Sequence, residues 1–151
     1  MDRISSFLGL AKKAGKIEIG EEPVGKVCRA RKAFLVVLAN DAAENTVRRA
    51  AHFADAGHIL QVVLPLSKNE LGLAFGRTSC AMAALTDIGF AASLVKKLNL
   101  LDPVAYAPAC EVLTLKSEKF IQRQKEKRIH EKKLLRNSIK PWSPKPDPKS
   151  K

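Results

Sequence analysis

The sequence contains few of the residues that build disulfide scaffolds or metal sites. Its cysteines, Cys28, Cys80 and Cys110, are odd in number and far apart, and its three histidines form no ligand cluster. Without paired ligand spacing, these cysteines predict reduced thiols rather than a disulfide framework. We therefore expect no metal and no other cofactor.

Aromatic residues and long apolar runs are also scarce. Six Phe, one Tyr and one Trp are too few to predict a sheet surface that stacks single-stranded bases. No apolar run approaches the ~20 residues that a membrane-spanning helix needs. Lys12 and Lys13 interrupt the first apolar segment, which is not typical of a signal peptide. These absences predict a cytoplasmic protein that does not bind membranes.

Positive charge, by contrast, is abundant and is concentrated at one end of the chain. Residues 1–115 hold 14 Lys and Arg against 11 Asp and Glu, a net charge of +3. Residues 116–151 hold 13 against 4, a net charge of +9. A strongly basic tail indicates a polyanionic partner such as nucleic acid, and a solubilising extension is the alternative.

The hydrophobic pattern predicts one α/β domain over residues 1–101. Ile17 and Ile19 alternate with polar residues as in a short strand, and residues 34–39 form a continuous apolar run that is typical of a buried strand. Residues 59–64 predict a second buried strand, and residues 80–85 predict a strand of small residues. Helical spacing predicts three helices, over residues 3–14, 22–31 and 87–98. Cap residues predict two more, one after Asn40 and Asp41 and one from the capping box at Ser67. We expect a three-layer α/β/α sandwich with a central, mostly parallel four-stranded sheet.

The chain beyond this domain has a different composition. Residues 102–115 predict a packed loop or an extra strand, and residues 116–139 predict a charged helix with a broken apolar stripe. The last eleven residues, PWSPKPDPKSK, include four prolines and predict a disordered end. Residues 116–151 would thus form a basic tail, helical and then disordered.

Residues 20–26, GEEPVGK, match the phosphate-loop pattern G-x-x-x-x-G-K, but three features argue against nucleotide binding. Val27 stands where a hydroxyl should ligate Mg²⁺, Glu21 and Glu22 would repel phosphate, and Pro23 lacks a backbone N–H. The start of a helix explains the same residues, because acids favour its positive end and proline is tolerated in its first turn. We interpret the match as accidental.

Three segments, in order, carry a family resemblance: GEEPVGKVCRARKAFLVVLANDAAENT, LSKNELGLAFG and ALTDIGFAASL. From about Ile4 to Leu98 the chain resembles the ribosomal protein L7Ae/L30e family of kink-turn RNA-binding proteins, and most closely its small bacterial YlxQ-type branch. The resemblance implies an α/β/α sandwich that binds RNA at one edge and is not an enzyme.

The resemblance also implies which residues contact RNA. In the family, a helix start with the pattern G-x-N-E-x-x-K contacts kinked RNA, and a loop before the last strand covers an extruded base. Gly20, Glu22 and Lys26 match the Gly, Asn and Lys positions of that pattern, whereas Pro23 replaces its Glu and cannot accept a hydrogen bond. With neighbouring residues and the second loop included, eight residues are the candidate contacts: Gly20, Glu21, Glu22, Lys26, Arg29, Arg77, Thr78 and Ser79.

These expectations converge on a monomeric, non-enzymatic binder of structured RNA, kink-turn-like or ribosomal, that associates with the ribosome. One alternative is a protein-interaction module whose basic tail docks on an acidic partner. Another is a substrate-binding accessory of an RNA-modifying system. A complete RNA-modifying enzyme would need a further cofactor-binding domain, for which a chain of this length has no room.

Overall fold

A computed structural model describes residues 2–139 of the chain. Within that range the chain separates into two units, with the boundary between Leu115 and Lys116. The elements follow in the order α1 (Asp2–Lys13), β1 (Ile17–Ile19), α2 (Glu21–Arg29), β2 (Leu35–Leu38), α3 (Glu44–Gly57), β3 (Leu60–Val63), α4 (Lys68–Ala74), β4 (Met82–Leu85), α5 (Ile88–Leu101) and α6 (Pro103–Ile139).

The four strands form one mixed sheet in the order β1-β4-β2-β3. Only β2 and β3 run parallel, while β4 is antiparallel to both β1 and β2. The predicted mostly parallel sheet is therefore wrong. Alternation of strands and helices indicates that helices cover the sheet, but it does not fix strand direction. After β3 the chain passes through the short helix α4 and re-enters the sheet from the same end, which makes β4 antiparallel.

Alternate residues of the central strands face two separate hydrophobic clusters. On β2, Leu35 and Val37 join the cluster that contains residues of α1, α4 and α5, whereas Val36 and Leu38 join the cluster that contains residues of α2 and α3. This division follows from the two-residue period of a strand. Burial on both faces explains why β2 and β4 are apolar throughout.

The edge strand β3 is less buried than its apolar sequence predicts. Three of its four residues are only partly buried, and Val63 is 50% exposed. An edge strand has a neighbour on one side only, so fewer side chains cover it. The predicted fully buried strand over residues 59–64 is therefore wrong in its burial.

Helix α3 begins later than the sequence predicts. Its first residue is Glu44 and its N-cap is Ala43, so Asn40 and Asp41 do not cap it. Asp41 instead accepts a hydrogen bond of 2.7 Å from the backbone N–H of Lys68, at the start of α4. The capping box at that start is confirmed, because the Ser67 hydroxyl and the Glu70 carboxylate each accept from the other residue's backbone N–H.

Residues 103–115 form the first part of α6 and are neither a loop nor a strand. Asp102 caps this helix, since its carboxylate Oδ1 accepts from the backbone N–H of Ala105 at 3.2 Å. Pro103 occupies the first helical position, where a missing N–H costs nothing. This Asp-Pro pair is the sequence signal that identifies the helix start.

The first part of α6 completes the larger hydrophobic cluster. Tyr106, Ala109 and Leu113 are buried in it at helical spacing. The Tyr106 hydroxyl donates a hydrogen bond to the backbone carbonyl of Val63 on β3. Burial raises the pKa of Tyr106, and the nearby Asp102 carboxylate raises it further. The hydroxyl therefore stays protonated as a donor.

The second unit contains the remainder of α6. From Lys116 to Arg136 its side chains are exposed, apart from the half-buried Ser117. The segment predicted to be disordered, residues 141–151, lies outside the described residues. No helix within residues 2–139 is long and apolar enough to cross a membrane.

Candidate nucleic-acid interface

The start of α2 is set by an unusual backbone conformation at Gly20. Its φ of 102° and ψ of 160° lie in a region that residues with a Cβ rarely adopt. The Gly20 N–H donates to the carbonyl of Met82 at 3.0 Å, which ties the helix start to β4. No side chain caps this end of the helix, so its positive end is open to a ligand.

The helix also explains the accidental phosphate-loop match. Residues 21–29 are helical and therefore do not form a loop that could wrap a phosphate. The second glycine of the pattern, Gly25, lies where α2 and α3 approach closely. A Cβ at that position would lie 2.9 Å from the ring of Phe53. Both glycines thus have structural roles.

A cleft of about 640 Å³ lies along α2, from its first turn to its last, and we call it the α2 cleft. Three of the candidate contacts line it, and all three have exposed side chains: Glu22, Lys26 and Arg29. The other lining residues are Glu18, Pro23 and Val27. Two carboxylates and two cations thus share one cleft, which suits a ligand that has both hydrogen-bond donors and negative charge.

The 77–79 loop, which consists of Arg77, Thr78 and Ser79, meets the start of α2. A Cβ built on Gly20 would lie 3.9 Å from Nη1 of Arg77 and 3.7 Å from Cδ of Pro23. All three loop residues are exposed. The fold therefore brings two segments that are more than fifty residues apart in sequence onto one surface.

The 77–79 loop is held tightly against α4. The backbone N–H of Arg77 donates to the carbonyl of Gly72 at 2.7 Å. Gly72 has no room for a side chain, because a Cβ there would lie 2.5 Å from the Cα of Ser79. The position of the Arg77 backbone thus depends on the close approach of the chain to α4.

Glu21 differs from the other candidate contacts in its surroundings. Its carboxylate pairs with Arg49 of α3, with an Nη1–Oε1 distance of 2.8 Å, and it also accepts from the Thr46 hydroxyl at 3.5 Å. The side chains of Glu21 and Arg49 are 40% and 56% exposed, so the pair adds little stability. Glu21 is thus engaged with α3, while Glu22 lines the cleft.

Sequence reasoning missed Glu18 and Val27 as residues of the α2 cleft. Glu18 lies on β1 between Ile17 and Ile19, which both face the larger cluster. Because strand residues alternate, Glu18 must face the side on which α2 packs. The period of the strand was therefore the signal that could have identified Glu18.

Reactive side chains are not part of this surface. Burial raises the pKa of the Cys28 thiol, with Arg29 opposing the shift in part. Burial likewise raises the pKa of Cys80, against the opposing effects of a hydrogen bond to the Met82 carbonyl and of Arg77. Both thiols therefore stay protonated near neutral pH and are poor nucleophiles. Over residues 2–139, no group of three His, Cys, Asp or Glu side chains could hold a metal ion.

Two solved structures resemble this fold. One, of a protein of unknown function from Bacillus halodurans C, has a TM-score of 0.57 and 29% identity, and the match covers 62% of this chain and 93% of that one. The other, the 15.5kD RNA binding protein of Giardia lamblia, has a TM-score of 0.51 and 23% identity, over 64% of this chain and 85% of that one. At that identity the second likeness shows the fold alone.

Sequence comparison extends the likeness to a relative with a named role. The chain is 36% identical over 97 residues to the RNA-binding protein YlxQ of Bacillus subtilis (strain 168), across 62% of this chain and 92% of that protein. The model of the ribosomal protein L7Ae/L30e/S12e/Gadd45 family matches residues 2–95. The match spans the sheet, both sides of the α2 cleft and the 77–79 loop, and it confirms the family resemblance found in the sequence. The chain belongs to the ribosomal protein L7Ae/L30e/S12e/Gadd45 family.

Proposed function

We propose that the chain is a non-enzymatic, cytoplasmic binder of structured RNA. Its target is ribosomal or another kinked RNA, and it acts as a monomer in association with the ribosome. In this proposal a three-layer α/β/α scaffold binds RNA at one edge, which is formed by the α2 cleft and the 77–79 loop. The name of its relative, the RNA-binding protein YlxQ, supports RNA as the ligand.

The observation that carries the proposal is the meeting of Arg77 with the start of α2. Nη1 of Arg77 lies 3.9 Å from the position that a Cβ on Gly20 would occupy, which is an ordinary van der Waals distance. Lys26 and Arg29 belong to the last turn of α2 and line the cleft along the same helix. Three exposed cations from two separate segments thus lie along α2, with Arg77 near its start and Lys26 and Arg29 in its last turn, and this arrangement favours a phosphate backbone.

The carboxylates of the cleft fit RNA better than they fit a simple anion. Glu22 is exposed, and within residues 2–139 it forms no ion pair. A carboxylate can accept hydrogen bonds from base amino groups while neighbouring cations hold the phosphates. We therefore assign base contacts to Glu22 and phosphate contacts to Lys26, Arg29 and Arg77.

The decisive experiment compares the affinities of Lys26→Ala and Glu22→Ala for a panel of kinked and unkinked RNA hairpins. Lys26→Ala should weaken binding to all of them, because a phosphate contact is independent of sequence. Glu22→Ala should weaken binding selectively. A good base contact discriminates by about 1–3 kcal/mol on DNA, and we use that scale for RNA. Affinity is measured by titration at fixed salt.

Lys96→Ala is the matched control. Lys96 is exposed on α5, and α5 packs in a different hydrophobic cluster from the one that contains α2. It should change neither RNA affinity nor the melting temperature. All three exposed positions should alter stability by under about 0.5 kcal/mol. If Lys26→Ala and Glu22→Ala bind every RNA as the unmodified protein does, the proposed surface is wrong. Purified protein without nuclease-sensitive absorbance would instead favour the protein-interaction alternative.

A further inference from the structure

A second groove borders Gly76, the residue that precedes the 77–79 loop. It has a volume of about 520 Å³ and lies between α1 and α4, and we call it the α1–α4 groove. None of the eight candidate contacts lines it. Its lining residues are Ser6, Gly9, Leu10, Lys12, Lys13, Ala74, Phe75 and Gly76.

Two adjacent residues connect the α1–α4 groove with the start of α2. Gly76 lines the groove, and a Cβ built on it would lie 3.9 Å from Nζ of Lys12. The next residue, Arg77, places its Nη1 near Gly20 at the start of α2. An RNA strand that follows the chain from Arg77 to Gly76 would therefore pass from the start of α2 to the groove.

The groove has the chemistry of a backbone channel. Lys12 is fixed, because its ammonium donates to the carbonyl of Phe75 at 2.6 Å. Lys13 is exposed, and within the described part of the chain it has no ion-pair partner. In contrast to the α2 cleft, no carboxylate lines the groove. The lining of the groove therefore carries two positive charges and no negative charge.

The apolar lining indicates which form of RNA fits. Leu10 is 56% exposed beside the two lysines, and it offers an apolar contact to a base. Bases in a duplex are stacked inside it and cannot make that contact, whereas bases of a single strand can be splayed out. Phe75 is only 1% exposed and cannot stack on a base. The Leu10 side chain makes no hydrogen bond to a base edge, so its contact does not select a sequence.

We propose that the α1–α4 groove binds single-stranded RNA that continues from the structured element held at the α2 cleft. Lys13 contacts a phosphate, and Leu10 contacts an unstacked base. The inference rests on the proposed function, because the structured element must first be held at the cleft. It adds a second contact surface and defines the ligand as a folded RNA with a single-stranded extension.

The test compares a blunt kinked hairpin with the same hairpin carrying a single-stranded oligouridine extension at its 5′ or its 3′ end. The unmodified protein should bind one extended RNA several-fold more tightly than the blunt RNA. The double variant Lys13→Gln and Leu10→Gln should lose this gain and keep its affinity for the blunt hairpin. On the extended RNA its salt dependence should be flatter by about 0.7 in the log–log slope, as expected for one lost single-strand phosphate contact.

The control is the double variant Lys96→Gln and Leu100→Gln, which removes one exposed cation and one exposed apolar side chain from α5. This control variant should still bind the extended RNA more tightly than the blunt hairpin. The inference is overturned if neither extension increases affinity, if the gain survives in the groove variant, or if a duplex extension gives the same Lys13-dependent gain. In each of these cases, binding of the blunt hairpin that is lost in Lys26→Ala would leave the proposed function intact.

Discussion

At the scale of single residues, Pro23 is the clearest departure from the family's contact pattern. It lies in the first turn of α2, is half-buried and lines the α2 cleft beside Gly20. Its ring has no hydrogen-bond acceptor, whereas the Glu of the family pattern has two. We predict that Pro23→Glu will bind a standard kink-turn hairpin more tightly than the unmodified protein does, as measured by titration.

Pro23→Ala is the control for this substitution, because it removes the ring without adding a carboxylate. It should not increase affinity for the hairpin. The fold should tolerate both changes. A glutamate in the first helical turn favours the positive end of the helix, and alanine has a high helix propensity. Nanomolar binding by the unmodified protein, with no increase in Pro23→Glu, would contradict this interpretation of Pro23.

Single residues also mark what the sequence can and cannot predict about the site. The exposure of Glu22, Lys26 and Arg29 followed from their places on a helix whose other face is apolar. The pairing of Glu21 with Arg49 did not, because the partner is 28 residues away and belongs to another element. Local patterns show which way a side chain faces, but contacts between elements depend on tertiary packing.

At the scale of elements, α4 and the loop after it form a unit that positions Arg77. We predict that Gly72→Ala will destabilise the protein by about 1–3 kcal/mol, because the added Cβ would collide with the Ser79 backbone. RNA affinity should fall as well, because the displaced loop carries Arg77 away from Gly20. Thermal melting and RNA titration measure the two effects.

Leu73→Ala provides the comparison within the same helix, since Leu73 is 77% exposed. It should leave stability within about 0.5 kcal/mol of the unmodified protein and RNA affinity unchanged. An unaltered affinity in a folded Gly72→Ala protein would mean that the position of the 77–79 loop does not matter for binding.

The elements themselves were largely predictable, but their arrangement was not. Apolar periodicity predicted the helices and strands as far as α5, and the capping box at Ser67 predicted the start of α4 to the residue. The direction of β4 was not predictable, because it depends on which end of the sheet α4 leads to. The first part of α6 was misinterpreted even though Asp102, Pro103 and the spacing of Tyr106, Ala109 and Leu113 indicate a helix.

At the scale of the whole molecule, charge and folding are divided between the two units. The first unit holds both hydrophobic clusters, while the second has nine Lys and Arg within its described residues and exposed apolar side chains. We predict that removing residues 116–151 will leave the melting temperature nearly unchanged and will weaken RNA binding. The salt dependence of binding should flatten by roughly 0.9 per lost duplex contact or 0.7 per lost single-strand contact.

A shorter truncation separates the contributions within the tail. Removing residues 140–151 alone takes away four of its thirteen cations, so the slope should flatten by less than it does in the longer truncation. Salt slopes from titrations between low and physiological salt measure both effects. An equal slope in the full chain and in the chain ending at Leu115 would show that the tail does not touch RNA.

The hydrogen bond from Tyr106 to Val63 has a consequence for solubility. An exposed edge strand is a template on which other chains can pair and aggregate, and proteins blunt such edges by covering them. Here the Tyr106 hydroxyl of α6 donates a hydrogen bond to the Val63 carbonyl on the edge of β3, so this carbonyl cannot pair with a strand of another chain. The protecting helix lies beyond residues 2–95, which match the family. A fragment cut to the matched region would therefore expose both the edge and the apolar surface beneath Leu113, and the shortest well-behaved fragment should extend to Leu115.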